Sequence, residues 1–137
     1  MVKPDYIVVT APPVNHAPTL ASIPDVSLTL GDSAQTIRLD GISIGPSDEN
    51  QTLTITASSS DKSVVADPVI TYTSPNLTGT LTLLPRAGVS GTTIITVMVK
   101  DDGGSANGGE DTVSRQFKVT VRPRVNLLPA ISSIPDL

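Results

Sequence analysis

The side chains that could do chemistry in this sequence are mostly carboxylates, and they occur as adjacent pairs in turn-forming segments. The three pairs are Asp48 with Glu49, Asp101 with Asp102, and Glu110 with Asp111. Four glycines lie between the second and third pairs and favour a flexible turn there. Carboxylate, amide and carbonyl oxygens are the ligands that calcium takes in proteins, about six to eight at a time. The acidic pairs are therefore candidate ligands for a divalent cation.

Residues for other kinds of catalysis are missing. The chain contains no cysteine, which excludes disulfides, thiolate metal sites and a cysteine nucleophile. His16 is the only histidine, so neither a Ser-His-Asp triad nor a multi-histidine metal site can form within one chain. The glycine-rich stretch GGSANGG at 103–109 lacks the Lys and Ser/Thr of a phosphate-binding loop. We predict that the protein is not an enzyme and requires no cofactor.

Length and charge restrict the kinds of partner that the protein could bind. The chain has 137 residues, enough for one ordinary domain with its own core. Its formal net charge is −4, without a basic cluster, which argues against binding to nucleic acid. No apolar run approaches the roughly 18 residues of a membrane helix, and the N-terminus lacks a signal-peptide pattern. We therefore predict neither a nucleic-acid partner nor membrane insertion.

Alternation of apolar and polar residues predicts the strands that position the acidic pairs. The clearest alternating stretches are QTLTIT at 51–56, GTLTL at 79–83, TTIITVMVK at 92–100 and RQFKVTV at 115–121. Their predicted inward-facing residues are Leu53 and Ile55; Leu81 and Leu83; Ile95, Val97 and Val99; and Phe117, Val119 and Val121. Asp48 and Glu49 then precede one strand, and the other two acidic pairs lie in the loop before the last strand.

Three weaker strand candidates complete the prediction of the fold. They are DVSLTL at 25–30, QTIRL at 35–39 and VVADPVITYT at 64–73. Pro68 interrupts the last of these, which favours an edge strand or a crossing between sheets. About seven short strands separated by turns are typical of an antiparallel β-sandwich. We predict an all-β fold with little helix.

An internal repeat organises the chain. Residues 6–26 align without gaps to residues 117–137, at an offset of 126 − 15 = 111 positions, with nine of 21 residues identical. The identities include Pro-x-Val-Asn-x-x-Pro and Ser-Ile-Pro-Asp in the same register, which shared valines alone do not explain. We predict that 1–14 is the last strand and linker of a preceding repeat, 15–125 a complete repeat, and 126–137 the start of the next. Prolines at both joints would stiffen them, and adjacent repeats would be partners.

The complete unit resembles a known class of repeats. The stretches VNHAP, YTSPNLTGTLTLLP and VKDDGG, in this order, are similar to cadherin-like and immunoglobulin-like tandem repeats of large bacterial surface and secreted proteins. The resemblance covers essentially 15–126. It implies a seven-stranded Greek-key β-sandwich, a secreted or cell-surface location, and adhesion or stalk duty, often with calcium near the joints.

The resemblance also implies where a calcium ion would bind. It brings the loops that carry the acidic pairs to one pole, beside Asn15 of the joint, and gives the candidate ligand set Asn15, Asp48, Glu49, Asp101 and Asp102. The opposite pole is poor in ligands, because LPRAGVSG at 84–91 contains no acid, and Asp25 and Asp136 are its only candidates. The alternative is that all these acids are simply solvated.

We predict a non-enzymatic extracellular repeat that acts as a spacer or stalk in an adhesin-like or multimodular surface protein. The alternative is a carbohydrate- or protein-binding β-sandwich. Sugar platforms generally use exposed Trp or Tyr rings. Trp is absent and Phe117 alternates inward, so Tyr72 is the one aromatic residue of the unit left over for a polysaccharide, and a sheet edge is expected for it.

Overall fold

A computed structural model describes residues 14–31, 33–45 and 50–123. Their strands are β1 (Val26–Thr29), β2 (Gln35–Leu39), β3 (Leu53–Ser59), β4 (Val69–Thr71), β5 (Gly79–Leu83), β6 (Gly91–Asp101) and β7 (Thr112–Arg122). The one helical element in these ranges is a single turn of 3₁₀ helix, Ala106–Gly108. The predicted all-β class is confirmed.

The strands form two sheets, one with the order β1-β7-β6-β3 and the other with the order β2-β5-β4. This arrangement, with consecutive strands divided between the sheets, is the Greek-key sandwich of immunoglobulin-like domains. The pairing is antiparallel as predicted, with one exception, because β1 pairs in parallel with β7. The first strand of the unit therefore lies beside the last, and both run in the same direction.

The residues that the alternation selects all belong to the core. Leu53 and Ile55 of β3, Leu81 and Leu83 of β5, and the inward-facing residues of β6 and β7 are buried. Their neighbours Thr54, Thr56 and Lys100 point outward to solvent. Each sheet thus has one apolar face and one polar face, and burial of the two apolar faces against each other stabilises the sandwich.

The interrupted segment at 64–73 is an edge strand, as predicted. Its ordered part, β4, pairs with β5 at the margin of the three-stranded sheet. Val65 is fully buried and forms an isolated bridge to Pro85. Pro68, which has no N–H to donate, lies between these two regions, where no ladder bond is needed.

The predicted boundaries stay predictions. The described ranges between residues 14 and 123 share one core, but residues 1–13 of the predicted overhang 1–14, and the whole overhang 126–137, lie outside the described residues. The internal repeat is thus a property of the sequence alone. Within the described ranges, no helix is long and apolar enough to cross a membrane.

Candidate functional site at the Asn15 pole

Three segments that are distant in sequence meet at one end of the sandwich. They are the entry segment that begins at Asn15, residues 51–52 before β3, and the loop 102–111 between β6 and β7. We call this end the Asn15 pole. The contact between the segment before β3 and the loop before the last strand is the one that the immunoglobulin-like topology implies.

Asn15 is the centre of the pole. Its side-chain Nδ2 donates to Asp101 Oδ1 at 2.7 Å, to the Glu110 carbonyl at 2.8 Å and to the Gly104 carbonyl at 3.0 Å. Its Oδ1 accepts a hydrogen bond from Gln51 Nε2 at 2.5 Å. Its backbone carbonyl accepts the N–H of Glu110 at 3.0 Å. One side chain therefore fastens the entry segment to both loops of the pole.

Asp101 is buried because of its phase along β6. It follows Ile95, Val97 and Val99 at the same two-residue spacing, so its side chain continues their inward-facing row and is 2% exposed. Its Oδ1 accepts both the Asn15 amide and the Gly103 N–H, the latter at 2.9 Å. Its Oδ2 is buried and has no hydrogen-bond partner. A carboxylate in such a place needs donors, and Asn15 supplies the longest-range one.

Gln51, on the other side of Asn15, also has one side-chain atom with a hydrogen-bond partner and one without. Its Nε2 donates to Asn15, whereas its Oε1 is buried and has no hydrogen-bond partner. Gly103 packs against both amides so closely that a Cβ there would overlap Asn15 Oδ1 and Gln51 Nε2. Gly109 lies against the other side, where a Cβ would come within 3.1 Å of the Asn15 backbone nitrogen. The glycines make room for the amides.

The remaining acidic residues of the pole hold the loop 102–111 in place. Asp102 is exposed, and its Oδ1 accepts the N–H of Thr52 at 3.0 Å. Glu110 reaches Asn15 through its backbone alone. The carbonyl of Asp111 accepts the Asp101 N–H at 2.9 Å. Lys100 Nζ lies 3.9 Å from Asp111 Oδ2. These contacts order the loop without gathering its carboxylates at one point.

The structure therefore brings three of the five predicted calcium ligands to one pole, namely Asn15, Asp101 and Asp102. It gives Asn15 a cross-linking role, since its amide oxygen and nitrogen are both engaged by protein groups. Asp48 and Glu49 lie outside the described residues. Within the ranges that the structure describes, no three His, Cys, Asp or Glu side chains are placed to hold a metal ion. His16 is exposed. Calcium binding at this pole stays a prediction.

Asp25 does not lie at the opposite pole, where the sequence suggested a ligand. Its Oδ1 accepts the N–H of Lys118 at 2.8 Å, in the middle of β7. The reason is the parallel pairing, because the entry segment runs along β7 before β1 begins and Val26 pairs with Val119. Arg115 Nε donates to the Leu20 carbonyl at 2.8 Å in the same stretch. Asp25 therefore fastens the entry segment to the last strand.

Two carboxyl groups away from the pole have lowered pKa values. Hydrogen bonds from the Ser63 side chain and N–H lower the pKa of Asp61. The Ser59 N–H lowers the pKa of Asp67, and Lys62 Nζ, at 3.1 Å from Asp67 Oδ2, lowers it further. Hydrogen bonds to the charged form of a carboxyl favour that form. Both groups belong to the loop after β3, where their hydrogen bonds hold the loop in place.

Tyr72 is not a free sugar-stacking ring. Its ring lies beside Gly79, where a Cβ would come within 3.0 Å of Cδ1, and its hydroxyl donates to the Asn76 carbonyl at 2.8 Å. Burial raises the pKa of its phenol. Phe117 is buried at 2% exposure. The two aromatic rings in the described ranges are thus packed in the sandwich.

Three contributors to the pole do not follow from the sequence. Its patterns place Gln51 only in a strand, and Gly103 and Gly109 only in a flexible turn. For the glycines no signal in one sequence separates a packing role from a turn. For Asp101, a signal was available, because the two-residue spacing of Ile95, Val97 and Val99 reaches it at the next step.

Comparison with protein-family models and with curated proteins finds no match. Among solved structures, the chain is similar to the PKD domain of human KIAA0319, determined in solution. The identity is 16%, the TM-score is 0.40, and the match covers 93% of this chain and 98% of that one. Because this TM-score is low, the immunoglobulin-like fold is assigned from the strand order described above and not from this similarity.

Proposed function

We propose that the protein is a non-enzymatic extracellular repeat that acts as a spacer or stalk under tension in an adhesin-like or multimodular surface protein. The observation that carries this proposal is the position of entry and exit. The entry segment is fastened at the Asn15 pole, beside the start of β7, and the chain leaves after Arg122 at the far end of the same strand. At about 3.3 Å per residue, the eleven residues of β7 separate these points by about 33 Å.

The parallel pair β1–β7 supports this proposal through its geometry under tension. Force applied through the two ends of the unit pulls β1 towards the Asn15 pole and β7 towards the other pole. The hydrogen bonds from the pairing of Val26 with Val119 to that of Thr29 with Arg122 lie across this direction and are loaded together. The Leu30 N–H extends the row to the Arg122 carbonyl at 2.8 Å. Hydrogen bonds that share the force in this way resist separation of the strands better than hydrogen bonds that break one after another.

The repeated residues support the tandem arrangement. Four of the identities between the two aligned segments are Asn15, Pro18, Ile23 and Asp25. In the described unit these four fasten the entry segment. Asn15 and Asp25 do so by hydrogen bonds, and Pro18 and Ile23 by burial. Their counterparts Asn126, Pro129, Ile134 and Asp136 lie outside the described residues. The residues that recur are therefore those that attach the entry segment to its unit. A following unit of the same kind would need them at the same positions.

Calcium is a second element of the proposal, favoured by one observation. Asp101 Oδ2 and Gln51 Oε1 are buried acceptors without a donor at the Asn15 pole. Carboxylate and amide oxygens that accept no hydrogen bond are suitable ligands for a hard cation such as calcium, which binds to oxygen atoms. Such a site would use the free oxygens of Asp101 and Gln51 and leave the Asn15 amide in its place. An ion there would stiffen the end at which the preceding repeat is attached.

The spacer proposal is tested by doubling the unit. Because Asn126 aligns with Asn15, inserting a second copy of residues 15–125 after Val125 keeps the pattern Val-Asn-x-x-Pro at every joint. Small-angle X-ray scattering of this chain and of the parent chain would compare their longest dimensions. A stiff spacer predicts an increase of about one unit length, roughly 33 Å or more, with a narrow distribution. A two-unit chain that is no longer than the parent would contradict the proposal.

A further inference from the structure

One feature of the loop 102–111 has no part in the hydrogen bonds around Asn15. This is the pair Asn107 and Gly108 at its tip. Both residues are exposed, and the Asn107 side chain makes no hydrogen bond among the described residues. A Cβ placed on Gly108 would meet nothing within 4 Å. Asn107 adopts φ 58° and ψ 32°, the left-handed region that asparagine tolerates better than most residues.

The geometry points to Asn107–Gly108 as a site of spontaneous covalent modification, and we propose that it forms a succinimide and then aspartate and isoaspartate. The Gly108 backbone nitrogen loses its proton to base and attacks Asn107 Cγ. The Cγ–Nδ2 bond breaks, and ammonia leaves with a proton. Water then adds to either carbonyl of the five-membered ring and opens it. The net change is one amide and one water converted to one carboxylate and ammonium.

Two properties of the tip favour this reaction over other asparagines. Gly108 has no side chain to obstruct the approach of its nitrogen or to restrict rotation about Asn107 ψ, which must leave its present value. The surrounding structure is a single 3₁₀ turn, with the Gly109 N–H bonded to the Ala106 carbonyl at 3.0 Å, and such a short exposed turn opens readily. The other described asparagines, Asn15, Asn50 and Asn76, are followed by His, Gln and Leu.

The modification would act on the part of the loop that Asn15 holds. Isoaspartate inserts one additional carbon into the backbone between Gly104 and Glu110, whose carbonyls accept the Asn15 amide. Both products add a negative charge near Asp102 and Glu110. The site is independent of the spacer proposal, since it depends only on the exposed tip.

The test is incubation of the full chain at mildly alkaline and mildly acidic pH, followed by peptide mapping with mass spectrometry. We expect conversion at Asn107 to exceed that at Asn50 and Asn76 by about tenfold or more, to accelerate with pH, and to give both aspartate and isoaspartate. Asn107→Gln should remove the acidic species, and the matched Asn50→Gln should leave it unchanged. Conversion at Asn107 no faster than at Asn50, or aspartate without isoaspartate, would overturn the proposal.

Discussion

Replacement of Asn15 by alanine is the sharpest perturbation of the pole. The substitution removes three donated hydrogen bonds and one accepted bond, and it leaves the buried Asp101 without its long-range donor. A hydrogen bond to a charged group contributes about 1.5–3 kcal/mol, and a neutral one about 0.5–1.5 kcal/mol. Because Asn15 is only half-buried, water replaces part of the loss. We expect the free energy of unfolding to fall by about 2–4 kcal/mol.

Thermal and urea denaturation measure this loss. At about 4 °C per kcal/mol for a domain of this size, the Tm should fall by roughly 8–16 °C. The matched control is Asn76→Ala, because Asn76 lies in the exposed loop before β5 and its side chain makes no hydrogen bond among the described residues. That control should stay within about 0.5 kcal/mol of the parent. A loss below about 1 kcal/mol for Asn15→Ala would refute the structural role of Asn15.

Asn15→Asp separates the donor role from simple packing. It keeps an acceptor for Gln51 and places a carboxylate oxygen where the amide nitrogen faced Asp101. At neutral pH the two like charges repel, so this variant should be less stable than Asn15→Ala. Urea denaturation at neutral pH compares the two variants, and equal stability of Asn15→Asp and the parent would contradict the donor role of Asn15.

Three further predictions concern single contacts. Gly103→Ala should destabilise the fold, and its loss should not add to that of Asn15→Ala in a double-mutant cycle, because the new methyl displaces the same amides. Asp67→Asn should reduce stability at neutral pH, because hydrogen bonding lowers the pKa of Asp67 in the folded state. The difference should begin to shrink as the pH falls below about 4 and should vanish only below the lowered pKa, where the folded carboxyl is protonated. If calcium binds at the pole, a hundredfold excess over Kd raises stability by about 2.7 kcal/mol. Asp48→Asn with Asp101→Asn should abolish that rise, whereas equal and weak effects of calcium and magnesium would favour solvated acids.

The core and the strands could be predicted because each sheet has one wet face. Alternation then assigns every second residue to the interior, as in Ile95, Val97 and Val99 of β6, without knowledge of the strand's neighbours. Pro68 similarly restricts its segment to an edge, because the restriction arises from a missing N–H in the residue itself. Local chemistry was sufficient in both cases.

Pairing and long-range contacts could not be predicted in the same way. The parallel pairing of β1 with β7 joins Val26 to Val119, and no local pattern records which strand lies alongside another. The bond between Gln51 and Asn15 spans 36 residues and depends on that topology. For the same reason the sequence suggested the opposite pole for Asp25, whereas Asp25 lies beside the middle of β7. The resemblance selects Asn15 as a calcium ligand, which stays a prediction, but it does not predict the cross-linking contacts of the Asn15 side chain, because these also join distant segments.

The central claim is that the unit carries load through β1 and β7, and mechanical unfolding of single molecules tests it most directly. Because the chain contains no cysteine, handles can be attached at introduced cysteines. Handles at positions 14 and 123 load the parallel pair in shear, and handles at positions 31 and 123 peel it open from one pole. We predict a single cooperative rupture at a clearly higher force in the first geometry, reduced by Asn15→Ala. Equal rupture forces in the two geometries would contradict the claim that β1 and β7 carry the load.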